Sequence, residues 1–194
     1  MRLGAPSNRI ADALLAWYDR VRKPLPWRDA PSPYRVWVGE VMSQQTSLSI
    51  AAERFVRFTA ELPDVEKLAS CDEGALRRLW AGLGYYARAR NLAKGASYIA
   101  HELGGVFPED APGWRRVPGC GPYTAAVLAS VCFGERVASV DGNAVRVASR
   151  LLAMQGDVWS TAGGRAIAEA LGAMVLGSDR PGDLNQAVME LGQE

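Results

Sequence analysis

Apolar positions along the chain repeat with helical spacing. No segment sustains alternation with period two, and apolar residues recur three and four positions apart through most of the sequence. The first such run passes through Ile10, Leu14, Trp17 and Val21, with Ser7 as its N-cap, and Pro24 and Pro26 break it. Ser32-Pro33 reads as N-cap and first helical position of a helix through Val36, Glu40 and Met42. Ser47 to Leu62 is a further amphipathic helix, and Asp72 caps one from Glu73 to Trp80. Gly82 and Gly84 separate that helix from a longer one, Tyr86 to Leu103, ended by Gly104-Gly105. A short turn at Pro112 to Val117 precedes a glycine hairpin and a helix from Pro122 to Cys132. Helices near Asn143 to Ala153, Ala162 to Leu176 and Leu184 to Leu191 follow. The pattern predicts an all-α protein with short connections. Its expected core includes Leu14, Val36, Phe55, Leu79, Leu92, Val127, Leu128, Val147 and Leu151.

Composition narrows this picture without naming a function. The 194 residues favour one domain or two small lobes, and 48% are apolar, enough for a sizeable core. No N-terminal apolar run reads as a signal peptide and no stretch approaches a membrane span, so an intracellular, cytoplasmic protein is the expectation. Cys71, Cys120 and Cys132 match no metal-ligand spacing and read as reduced, mostly buried thiols. Net charge is only +1, so any nucleic-acid surface must come from polarised charge. Arg77, Arg78, Arg88, Arg90 and Lys94 follow one another with no acid between them, interleaved with Trp80, Tyr85 and Tyr86. Such a stretch suits a phosphate backbone with exposed bases, or equally a solvated helix face with core aromatics.

Three local features carry chemistry. In Val117-Pro118-Gly119-Cys120-Gly121-Pro122-Tyr123-Thr124-Ala125, Gly119 and Gly121 permit backbone conformations that a side chain would block, and Pro122 starts a helix. The outcome is either a backbone anion site at a helix N-terminus, suited to a DNA phosphate, or a plain helix-helix turn. Asp141 follows in Ser139-Val140-Asp141-Gly142-Asn143, where it can be an ordinary N-cap or a charge that stabilises an oxocarbenium ion. Glu40 stands among Val36, Trp37, Val38, Val41 and Met42. It is a surface residue on the polar stripe or a buried acid whose burial favours the protonated form. Together, one protonated and one ionised carboxyl are what cleavage of a glycosidic bond with a neutral departing purine requires.

The combination resembles the helix-hairpin-helix DNA glycosylases, and more narrowly the adenine-specific family that removes adenine opposite 8-oxoguanine or guanine. The resemblance rests on Leu25-Pro26-Trp27-Arg28, Val36 to Thr46, Trp80 to Leu92, the hairpin and Val140 to Arg146, and extends from about Trp17 to the C-terminal end. It implies two helical lobes with the active site between them. One lobe is residues 29–136 with the helix-hairpin-helix at about 112–133; the other is residues 1–28 with 137–194. It implies that Glu40 protonates adenine, that Asp141 stabilises the cation and helps water attack, and that Asn143 and Tyr123 position Asp141 and the sugar. Trp27 and Arg28 are implied to line the adenine pocket. Gln45 and Tyr85 would fill the gap and wedge the duplex, with Thr46, Leu83, Arg88, Gly119 and Gly121 as further DNA contacts. Related pyrimidine-removing endonucleases carry a nucleophilic Lys where this chain has Tyr123, and Tyr cannot form a Schiff base, so a monofunctional glycosylase acting as a monomer on duplex DNA at the nucleoid is expected.

Two departures stand out. The family usually has Leu where this chain has Ser43. In the family, the segment like Leu184 to Gly192 is followed by four cysteines holding a 4Fe-4S iron-sulfur cluster, and a C-terminal domain helps recognise 8-oxoguanine. This sequence stops at Glu194, and its three cysteines do not occupy those places, so either a C-terminally truncated form or a variant without both parts is expected, binding no cofactor or metal itself. The alternatives are a non-catalytic DNA-binding remnant, or a bifunctional endonuclease III-like glycosylase and lyase on damaged pyrimidines.

Overall fold

The computed structural model describes residues 6–194, with side chains from Arg9 onward; the cap expected at Ser7 concerns a side chain outside those described. The described residues are helical with no strand, and no helix among them is long and apolar enough to cross a membrane. The helices are α1 (Pro6–Val21), α2 (Pro26–Asp29), α3 (Pro33–Ser43), α4 (Leu48–Glu61), α5 (Val65–Ala69) and α6 (Glu73–Leu79). They continue as α7 (Tyr86–Glu102), α8 (Ala111–Trp114), α9 (Pro122–Phe133), α10 (Gly142–Leu151), α11 (Thr161–Leu176) and α12 (Pro181–Leu191).

Helix starts follow the capping residues. Ser32 accepts from the Arg35 amide with Pro33 behind it, Asp72 accepts from Ala75, and Ser160 from Gly163. The periodicity missed α2 and α5, which are shorter than two turns and carry too few apolar positions to show a period. It also placed the start of α12 three residues late, because Pro181, not Leu184, takes the first helical position.

The chain divides into two compact units: residues up to Lys23 with Ala129–Glu194, and Pro24–Leu128. In the Pro24–Leu128 unit α3 packs on α4 and α7, and α5 on α7. Its core is aromatic. Trp37 meets Trp114 with ring centroids 5.9 Å apart, and Phe58 meets Trp80 edge-on at 6.0 Å. Gly95 of α7 makes this possible: a Cβ there would lie 2.7 Å from the Trp37 ring and 2.9 Å from the Pro118 carbonyl oxygen. In the other unit α1, α10, α11 and α12 enclose Leu14, Tyr18, Val147, Ile167, Leu171 and Leu184. From Thr124 to Ser130 every residue of α9 is buried.

Seven of the nine expected core residues are buried: Leu14, Val36, Phe55, Leu92, Val127, Leu128 and Val147. Two are corrected. Leu151 is 47% exposed, since it ends α10 beyond the last buried turn, and Leu79 is half-buried. On α6 it is Leu76 and the cap residue Trp80 that face inward, one turn apart.

Candidate functional site

Glu40 lies in the last turn of α3. The six residues around it, Val36 to Gly39 with Val41 and Met42, are buried, and Glu40 itself is half-buried. The Tyr123 hydroxyl, in the first turn of α9, stands 3.5 Å from Glu40 Oε2, at the long limit of a hydrogen bond. Beneath α3, the buried Trp27 lies against the backbone of Gly39. A Cβ at Gly39 would fall 2.3 Å from the indole, so only glycine permits this approach next to Glu40. The Trp27 ring also meets Phe55 edge-on at 5.3 Å. Trp27 therefore braces the helix that carries the acid, with Arg28 half-buried beside it. Ser43, the position that departs from the resembled family, turns its hydroxyl back to the Glu40 carbonyl at 3.0 Å. The polar atom is thus absorbed by the helix itself.

Asp141 caps α10 with one carboxylate oxygen and accepts from the Asn143 side chain with the other. The Ala144 amide donates to Oδ1 at 2.7 Å and Asn143 Nδ2 donates to Oδ2 at 2.9 Å. The cap reading of Asp141 holds, and its second oxygen is engaged by Asn143. The orientation of the Asn143 amide is itself set, because its Oδ1 faces Arg146 Nη1 at 3.5 Å while its Nδ2 faces Asp141. Arg146 also donates to the Gly192 carbonyl, and a Cβ at Gly192 would lie 2.6 Å from that of Asn143. The end of α12 is therefore seated directly on the residue that orients Asp141.

One supporting residue escaped the sequence reading. Asn185 of α12 is 3% exposed, and its carboxamide accepts from the Ser139 amide at 3.0 Å and donates to the Val137 carbonyl and Ser130 hydroxyl, both at 2.9 Å. It pins the extended segment that leads into Asp141. Its partners lie 46 to 55 residues away, so local pattern carries no trace of it.

The expected duplex-facing loops are also built. Gln45 and Tyr85 both have left-handed backbones, with φ of 54° and 45°, although neither is glycine. Tyr85 is 63% exposed, so it is not a core aromatic. Thr46 donates weakly to the Leu83 carbonyl at 3.4 Å, linking the two loops, and Gln44 Nε2 reaches Thr124 Oγ1 on α9 at 3.2 Å. Leu83, in contrast, is buried, and the half-buried Arg88 guanidinium is directed to protein acceptors. Burial pulls the Arg88 guanidinium below its ordinary pKa.

In the hairpin, Gly119 takes φ of 86°, and a Cβ there would press to 2.8 Å from Asn91. Gly121 faces open space and is exposed. Cys120 between them is buried, and desolvation pushes its thiol up to about 12. No disulfide joins the three cysteines, and among the described residues no group of three or more His, Cys, Asp or Glu side chains is placed to hold a metal. These cysteines do not fit a four-thiolate iron-sulfur cluster.

A family model described as "HhH-GPD superfamily base excision DNA repair protein" matches residues 38–163, which include Glu40, the hairpin and Asp141. The chain is 40% identical over 189 residues to the adenine DNA glycosylase of Homo sapiens, an alignment covering 93% of this chain and 34% of that protein. The chain thus spans between about a third and a half of the length of the curated relatives it matches. Among solved structures, a thermostable thymine-DNA glycosylase superposes with a TM-score of 0.80 at 22% identity, covering 96% of this chain and 85% of that one. An endonuclease III in a non-covalent complex with DNA superposes with a TM-score of 0.76 at 18% identity, with the same coverage. At those identities the superpositions speak for the fold alone. The family match, spanning both carboxylates and the hairpin between them, makes the chain a member of the HhH-GPD superfamily of base excision DNA repair proteins.

Proposed function

We propose that this chain carries the chemistry of a monofunctional adenine-specific DNA glycosylase, acting as a monomer on duplex DNA at the nucleoid and removing adenine mispaired with 8-oxoguanine or guanine. The observation that carries the reading is Asp141, whose two oxygens each have a fixed donor, in a chain that also carries Glu40 on the buried-flanked helix α3. A carboxylate so engaged is held in a fixed orientation, which is what a developing positive charge at the sugar needs.

The steps balance as a hydrolysis. Duplex DNA is held by the exposed hairpin, where the Gly119 and Gly121 backbone and the start of α9 offer a phosphate site. Gln45 and Tyr85 enter the stack while the adenine leaves it, since the glycosidic bond cannot be reached in place. Glu40 gives its proton to an adenine ring nitrogen, the bond from C1′ to the base breaks, and adenine departs neutral. Asp141 stabilises the resulting oxocarbenium ion and takes a proton from the water that adds to C1′. The products are free adenine and an abasic site. Tyr123 stands where a lyase would present an amine, so the strand is left intact.

Glu40→Gln tests the acid. The substitution keeps shape and removes the proton, so base release should fall by about a thousandfold or more while duplex affinity is retained. Unchanged release would remove Glu40 from the mechanism. Covalent trapping by borohydride on an oxidised pyrimidine would favour the bifunctional lyase instead.

A further inference from the structure

Arg88 is the junction of the two loops that bear Gln45 and Tyr85. Its Nη1 donates to the carbonyl oxygens of Val41 at 2.9 Å, Met42 at 3.1 Å and Gln44. Its Nη2 donates to the Leu83 carbonyl at 2.9 Å and the Thr46 hydroxyl at 3.1 Å. The guanidinium carbon lies 5.5 Å from the centroid of the Tyr85 ring and 5.7 Å from that of Trp80. Val41 and Met42 are in the last turn of α3, where helix carbonyls lack an amide four residues on and a cation is favourable. Both loops hold a left-handed residue with a side chain, a conformation that persists where the surroundings over-determine it. Arg88 supplies that constraint: one rigid fork bonds carbonyls before Gln45, the Thr46 hydroxyl after it, and the Leu83 carbonyl on the segment leading into Tyr85.

We infer that Arg88 is a positioning residue that locks the Gln45 and Tyr85 loops in register as one wedge, and is not a ligand for a DNA phosphate. The inference rests on the reading that these loops enter the duplex. Chemistry separates it from the basic-patch alternative. A lysine can replace an arginine that meets a phosphate as a point charge, but its compact ammonium cannot reproduce a planar fork spanning two loops. Conservative replacement should therefore fail here and succeed at a phosphate contact.

The test compares wild type with Arg88→Lys, Arg88→Met and Thr46→Val. Amide hydrogen exchange of the free protein is followed at residues 44–47 and 83–86. Arg88→Lys should speed exchange in both segments by about tenfold, leaving α9 unchanged. On a duplex with adenine opposite 8-oxoguanine, base release should slow by about a hundredfold, the scale of a small misplacement. The slope of log affinity against log salt should match wild type for both Arg88 variants. Wild-type exchange and activity in Arg88→Lys, with a slope shallower by about 0.9 in Arg88→Met, would make Arg88 a phosphate ligand and overturn the inference. Should the Arg88 variants not fold, Thr46→Val decides: faster exchange in both segments supports the lock, and no change at 83–86 overturns it. A wild-type protein that releases no adenine defeats the glycosylase reading, while the exchange data still decide the role of Arg88.

Discussion

Glu40 stands on a helix whose surrounding residues are buried and whose backbone is braced by Trp27 through Gly39. Asp141 stands at the end of an extended segment, with a donor on each oxygen and the Asn185 carboxamide fixing the residues before it. The first carboxyl sits among buried apolar neighbours with the Tyr123 hydroxyl 3.5 Å from its Oε2, whereas the second receives a close donor on each oxygen. The difference suits their proposed roles. A general acid must hold a proton and then release it to the departing base. A charge stabiliser must stay aimed at the sugar as charge develops, and donors on both oxygens hold it in place. The two regions should therefore fail in different ways.

Asn185→Ala should have the largest effect. It leaves the buried Ser139 amide and Val137 carbonyl without the carboxamide, and should lower stability by about 3 kcal/mol, read by denaturant unfolding. Faster exchange at residues 137–141 should accompany the loss; unchanged exchange there would separate Asn185 from the placement of Asp141. Gly39→Ala should cost about 2 kcal/mol by overpacking against the indole. It should slow base release by displacing Glu40 while the Asp141 region keeps wild-type exchange. A variant of normal stability would show that Trp27 yields easily and does not brace α3.

Asn143→Ala removes one charge-assisted bond to Asp141 and leaves the Ala144 amide in place. Base release should fall by about tenfold with little change in melting, and a wild-type rate would show that the cap bond alone suffices. The smallest effect at neutral pH belongs to Cys120. In the folded protein its thiol holds the proton to about 12, against an ordinary value near 9. Above pH 9 the unfolded chain therefore binds fewer protons than the folded one, and stability falls as pH rises. Cys120→Ala should flatten that alkaline loss; an identical pH profile would assign it to other groups.

The helices with strong caps and long periods were legible in the sequence, as were the cap at Asp141 and the left-handed turn at Gly119, because each depends on neighbours a few positions away. The short α2 and α5 were not, since less than two turns show no period. Leu151 was misplaced because apolar spacing does not reveal where a helix outruns its neighbours. Arg88 reads in sequence as one base in a run of bases, yet its acceptors are mostly backbone carbonyls, which carry no sequence signature. Asn185 and Gly192 were hidden for a related reason: each acts on residues more than 40 positions away.

The central claim is that two differently held carboxyls remove adenine without cutting the strand. An end-labelled duplex with one adenine opposite 8-oxoguanine, incubated with excess protein and divided before treatment with hot alkali, tests it most directly. Cleavage at the adenine in the alkali-treated half alone is the predicted result. Intact DNA in both halves, with the protein shown to be folded, or cleavage without alkali, would contradict it.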